Sequence, residues 1–164
     1  MHTQLINLTK QNVSSIYSLS DFMVARGNWT ADRDIREDTA KTIYGLFQVL
    51  AWSDRGLHHN ECNLLDVAID IDKSHGNHLE KLIGSEPIDL DTETRVPGLL
   101  AAAALHDSVH DTRFVNLVMN SLENLGLLIL MADAEISESE TAAYQSYFSK
   151  LRRSFSAVPM AGRL

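Results

Sequence analysis

The sequence predicts an all-helical fold in a single domain, and three observations predict it. Breakers are scarce: three prolines and eight glycines in 164 residues are too few for a sandwich or barrel, which needs a turn about every ten residues. Between the breakers the apolar residues recur at helical spacing, as in Ile43, Tyr44, Phe47, Leu50 and Ala51. The apolar share is 45% and the charged share 22%, a globular balance for a chain long enough to bury a core without metal or disulfide staples.

About seven helices are expected. The first covers roughly Lys10 to Ala25 and stops near Gly27. The second starts after Thr30 or Asp32 and runs to about Trp52, where Leu46, Val49 and Trp52 widen the apolar stripe so far that neighbours must nearly surround it. The third spans about Asn60 to Asp72, with Leu64, Leu65, Ala68 and Ile71 on one side, and a short fourth runs from about His75 to Ile83 before Gly84. An acidic loop, Ser85 to Arg95, carries Glu86, Asp89, Asp91 and Glu93. Pro97 suits the first turn of the fifth helix, where its missing N–H has no intrahelical partner to lose. The sixth is a long buried helix from about Thr112 to Met131. The seventh follows Ser137 and fades after Phe155, leaving residues 156–164 as a frayed tail.

The halves, about residues 30–84 and 95–155, share a junction. Ala51-Trp52-Ser53-Asp54-Arg55-Gly56-Leu57 through Glu61 aligns with Leu130-Met131-Ala132-Asp133-Ala134-Glu135-Ile136 through Glu140 at an offset of 79 residues. Each copy reads as the end of an apolar helix, then Asp-x-x-(Leu/Ile)-x-x-x-Glu, then a new helix. Two such helix–turn–helix units predict a compact bundle with a pseudo-twofold internal repeat. In a purely structural role the aspartate bonds turn amides and the glutamate sits where the next helix dipole favours negative charge. Ser137 and Glu140 have capping-box spacing. In a functional role Asp54, Glu61, Asp133 and Glu140 converge across the pseudo-twofold axis on one divalent cation. A true EF-hand is excluded, because positions 1 and 3 of the loop would be Ile129 and Met131, or Leu50 and Trp52, which offer no side-chain oxygen.

The motif resembles the signature of the TerB-like family of tellurite-resistance proteins, an apolar helix followed by Ala-Asp-Gly-x-Ile-x-x-x-Glu. Ala132-Asp133-Ala134-Glu135-Ile136 through Glu140 is the nearer copy, and Ser53-Asp54-Arg55-Gly56-Leu57 through Glu61 the other. The resemblance extends loosely over residues 35–153. It implies an all-helical bacterial protein linked to tellurite and other stress resistance, whose acidic face is proposed to hold divalent metal. The family glycine after the aspartate is replaced by Ala134 and Arg55, so the turn loses free access to positive φ.

His106 and His110 lie four residues apart, a spacing that places two imidazoles on one helix face and can hold zinc, with His75 or His78 as a candidate third ligand. Read structurally, His-Asp-Ser-Val-His-Asp is a polar helix junction with Asp111 capping the sixth helix. The step Leu99 to Leu105 followed by His106-Asp107 is also similar to that of HD-type metal-dependent phosphohydrolases, with His78 upstream and Asp133 downstream. However, Gly84 cuts short the helix after His78, and Ser108-Val109 replaces the usual Ile-Gly. No Gly-rich phosphate loop or Gly-x-Ser-x-Gly elbow is present.

The net charge of −8, from 22 acidic and 14 basic residues, disfavours nucleic acid. The one basic cluster, Lys150, Arg152, Arg153 and Arg163, falls where it opposes a helix dipole. Cys62, the only cysteine, rules out an intrachain disulfide and reads as a small core residue without nucleophile surroundings. The N-terminus lacks the basic-then-apolar order of a signal peptide. The longest apolar runs, Gly98 to Leu105 and Leu125 to Ala132, fall short of the roughly 20 residues that span a bilayer. The expectation is a cytoplasmic, non-enzymatic protein that binds a divalent cation or a protein partner, itself included. The alternatives are a metal-free helical interaction module and the phosphohydrolase.

Overall fold

The computed structural model describes residues 2–26, 34–52, 58–84, 97–132 and 135–157, and every extended regular element among them is helical. In chain order these are α1 (His2–Arg26), α2 (Ile35–Trp52), α3 (His59–Asp72), a 3-10 turn (Lys73–His75), α4 (Leu79–Ile83), α5 (Gly98–His110), α6 (Phe114–Met131) and α7 (Glu138–Ala157). The all-helical bundle expected from the sequence is what the chain forms. The acidic loop of residues 85–95 and the tail from residue 158 lie outside the described residues.

The helix α1 starts two turns before Lys10. Its inward stripe is Leu5, Thr9, Val13, Ile16, Tyr17, Ser20 and Met23, and the hydroxyls of Thr9 and Ser20 interrupt the apolar period that sequence reading depends on. Thr9 Oγ1 donates back to the carbonyl of Leu5 at 2.7 Å, so a buried hydroxyl is satisfied by its own helix. The expected fourth helix begins only at Leu79, because Gly76 and Asn77 both take positive φ, 119° and 57°.

The central element is α2. Ile43, Leu46, Phe47 and Leu50 are at most 1% exposed, and α1, α4, α5, α6 and α7 all pack around it. The same core includes Tyr17, Leu99, Leu122 and Phe148. Cys62 is half-buried on α3 rather than in the core. The two helical hairpins differ in setting: α7 lies on α2, whereas α3 packs chiefly on α1. Gly98 opens α5 directly on α2, and a Cβ there would sit inside contact distance of the Asp38 carboxylate. Of the described helices, α6 alone is long and apolar enough to cross a membrane, with a mean hydropathy of 1.5, and 44% of its residues are buried in the bundle.

Candidate metal centre

Two of the four repeat carboxylates fall within the described residues, while Asp54 and Asp133 lie outside them. Glu61 and Glu140 are each 1% exposed, and each turns back on its own helix start. Glu61 Oε2 accepts from the His58 amide at 2.8 Å, and Glu140 Oε2 accepts from the Ser137 amide at 3.0 Å. Ser137 Oγ in turn accepts from the Glu140 amide at 3.1 Å, completing the capping box. Orphan amides and the helix dipole together make such burial of a carboxylate tolerable.

A different group of metal-ligating side chains converges at the start of α2. Asp34 precedes the helix, and its Oδ1 accepts from the amides of Arg36 at 3.0 Å and Glu37 at 3.3 Å, the usual work of an N-cap aspartate. Its second oxygen faces His78 Nε2 at 3.2 Å. Glu37 is the next carboxylate on that face, and Asp34, Glu37 and His78 offer ligand atoms all within 4.8 Å of one another. Around a tetrahedral ion with bonds of about 2.0–2.2 Å, neighbouring ligand atoms lie roughly 3.3–3.5 Å apart. The Asp34–His78 separation is already close to that spacing, and a small movement of the Glu37 side chain would complete three ligands. Glu37 also pairs with Lys41 at 3.2 Å one helical turn on.

The position of His78 depends on the turn before it. Asp72, fully buried, accepts from the Tyr17 hydroxyl at 2.6 Å and from the Leu79 amide at 2.7 Å, tying α1 to the start of α4. Between them the chain reverses through Gly76, where a Cβ would come within 2.8 Å of His78 Nε2. Only glycine combines that φ with room for the imidazole. Alongside, Asp21 bridges Arg36 Nε at 2.8 Å and His75 Nδ1 at 2.6 Å, and the His75 ring stacks on Tyr17 at 5.0 Å. Burial, with the Asp72 hydrogen bond and charge adding to it, pushes the Tyr17 phenol far above its ordinary range.

The other histidines form a separate corner. His106 is 1% exposed and lies flat on Phe114, with ring centroids 4.4 Å apart and planes 5° from parallel. Asp111 was the expected cap of α6, but Asp107 performs that role: its oxygens accept from the amides of Phe114 at 2.6 Å and Val115 at 3.0 Å. Asp111 instead ends α5 in the left-handed conformation, φ 52°. The HD-type reading joins His78 to His106-Asp107. Here His78 sits on Asp34, while both oxygens of Asp107 serve α6.

Comparison with protein-family models, with curated proteins and with solved structures finds no match. The Asp34–Glu37–His78 group was not legible in the sequence as a unit. With the second helix expected to start after Thr30 or Asp32, Asp34 carried no sign of being a cap, and nothing local links it to His78.

Proposed function

We propose that this chain is a non-enzymatic helical domain that binds a divalent cation through Asp34, Glu37 and His78, in a stress-resistance role of the kind the TerB-like resemblance implies. One observation carries the reading: two carboxylates and an imidazole nitrogen, the latter from a segment far along the chain, offer ligand atoms within 4.8 Å of one another. One nitrogen and two oxygen donors of intermediate hardness suit Zn2+, Mn2+ or Fe2+ better than Ca2+, which takes six to eight oxygens. Calorimetric titration of EDTA-treated, untagged protein with Zn2+ and Mn2+ tests it. His78→Ala is expected to weaken binding by at least about tenfold. Asp34→Ser, which keeps a capping hydroxyl but removes the charge, is expected to do the same while the helix content stays unchanged. Unaltered affinity in both variants would overturn this assignment of ligands.

A second reading is a metal-free module that docks a protein partner or another copy of itself. The burial of Glu61 and Glu140 as helix caps favours it, since two of the four repeat carboxylates are already engaged. Leu117, Leu127 and Met131, each about half exposed on one stripe of α6, are the apolar surface such a partner would use. Absence of binding for every divalent ion tested selects this reading.

A further inference from the structure

The proton positions around His106 follow from its hydrogen bonds. Thr112 Oγ1 lies 2.6 Å from Asp107 Oδ1, and a carboxylate can only accept, so the single hydroxyl proton of Thr112 is committed there. The 2.9 Å contact between Thr112 Oγ1 and His106 Nδ1 is therefore made by the proton of Nδ1. That leaves Nε2 as an unshared lone pair, and it is buried with no hydrogen-bond partner among the described residues. Buried polar atoms without partners are rare and costly. A carboxylate that fixes an imidazole in one tautomer, here through a hydroxyl, is the arrangement that orients metal-binding histidines.

One turn on, the His110 ring lies 4.5 Å from that of His106, centroid to centroid, with the planes tilted 39°. Two imidazoles bound to one ion at nitrogen–metal distances of about 2.0–2.1 Å have centroids roughly 4.5–5 Å apart. Burial and the neighbouring His110 hold the His106 imidazole below its usual pKa, with Asp107 opposing and Arg26 reinforcing the effect.

We infer that His106 Nε2 and His110 form a second cation site, independent of the α2 corner, that takes late first-row ions such as Cu2+, Ni2+ or Zn2+. Two nitrogen donors with no oxygen ligand between them favour these ions over Mg2+, Ca2+ or Mn2+. Phe22, 42% exposed, packs edge-on against His106 at 6.0 Å and carries Arg26 over its ring at 4.5 Å.

The test uses untagged full-length protein carrying Asp34→Ser, Glu37→Gln and His78→Ala, so that failure of the first site cannot be mistaken for failure of the second. Titration with Cu2+ and Ni2+ is expected to show one equivalent bound. His110→Ala, a change at an exposed side chain that leaves the fold intact, is expected to weaken it by at least about tenfold. Side-chain 15N NMR of the metal-free protein is expected to show His106 protonated on Nδ1, with Nε2 shifting when diamagnetic Zn2+ is added. Cu2+ and Ni2+ affinity unchanged by His110→Ala, no binding by the triple variant, or a proton on His106 Nε2 would each overturn the inference.

Discussion

Replacing Asp72 by alanine is expected to destabilise the protein by about 2–6 kcal/mol, since it orphans two buried donors that each cost about 1–3 kcal/mol when unpaired. These are the Tyr17 hydroxyl and the Leu79 amide, both sealed from water. Tyr17→Phe removes one donor and leaves the carboxylate its amide partner, so about 1–3 kcal/mol is expected. In a double-mutant cycle the two changes are strongly non-additive, because they share one hydrogen bond. Urea denaturation of the four proteins at one pH checks this, and additive losses would show that the pair is not coupled.

The same pair sets an alkaline limit. The folded pKa of Tyr17 is raised, so above the unfolded value of about 10 the unfolded chain releases a proton that the folded chain retains. The contribution to stability is complete below about pH 10 and is lost as pH rises beyond it. Urea midpoints measured from pH 8 to 11 are expected to fall at the alkaline end in the wild type and to fall less in Tyr17→Phe.

Gly126→Val is expected to cost about 1–3 kcal/mol by overpacking, although removing a mid-helix glycine ordinarily gains up to about 1 kcal/mol of helix propensity. A Cβ at Gly126 would lie 2.8 Å from Tyr144 Cε2 and 3.2 Å from Phe148 Cε2. Tyr144 cannot swing aside freely, because its hydroxyl donates to the Glu123 carbonyl at 3.2 Å on the same helix. Phe148 is 1% exposed and has no space to retreat. An Arg152–Glu123 ion pair lies beside them, so α7 is docked on α6 across one short, closely packed stretch. Combining Gly126→Val with Tyr144→Ala is expected to cost less than the sum of the two changes, as the added methyls fill the vacated volume. A thermal midpoint for Gly126→Val at or above that of wild type would show that the interface yields.

How far the structure was legible differs between elements. For α2 the apolar residues are so dense that a buried central helix was the only way to cover them, and Ile43, Leu46, Phe47 and Leu50 are buried as expected. The Ser137–Glu140 capping box was equally legible, because its partners are three residues apart and local geometry alone brings them together. By contrast, the start of α1 was hidden by Thr9, a hydroxyl on its buried stripe. The side chain that caps α6 lies four residues before the expected one: Asp111 is nearer in sequence, yet the left-handed turn at Asp111 directs the chain back so that Asp107 reaches the free amides.

By itself the sequence determined the helical character, the central place of α2 and the glutamate caps, all consequences of periodicity and of contacts within one helical turn. Only the tertiary structure decided which chemistry-bearing side chains share a site. His78 meets Asp34 and Glu37 because a buried Tyr17–Asp72 hydrogen bond and a glycine turn carry it across the bundle. Hydrophobic patterning fixes which face of a helix turns inward, but not which residues of distant helices come to lie at the same end.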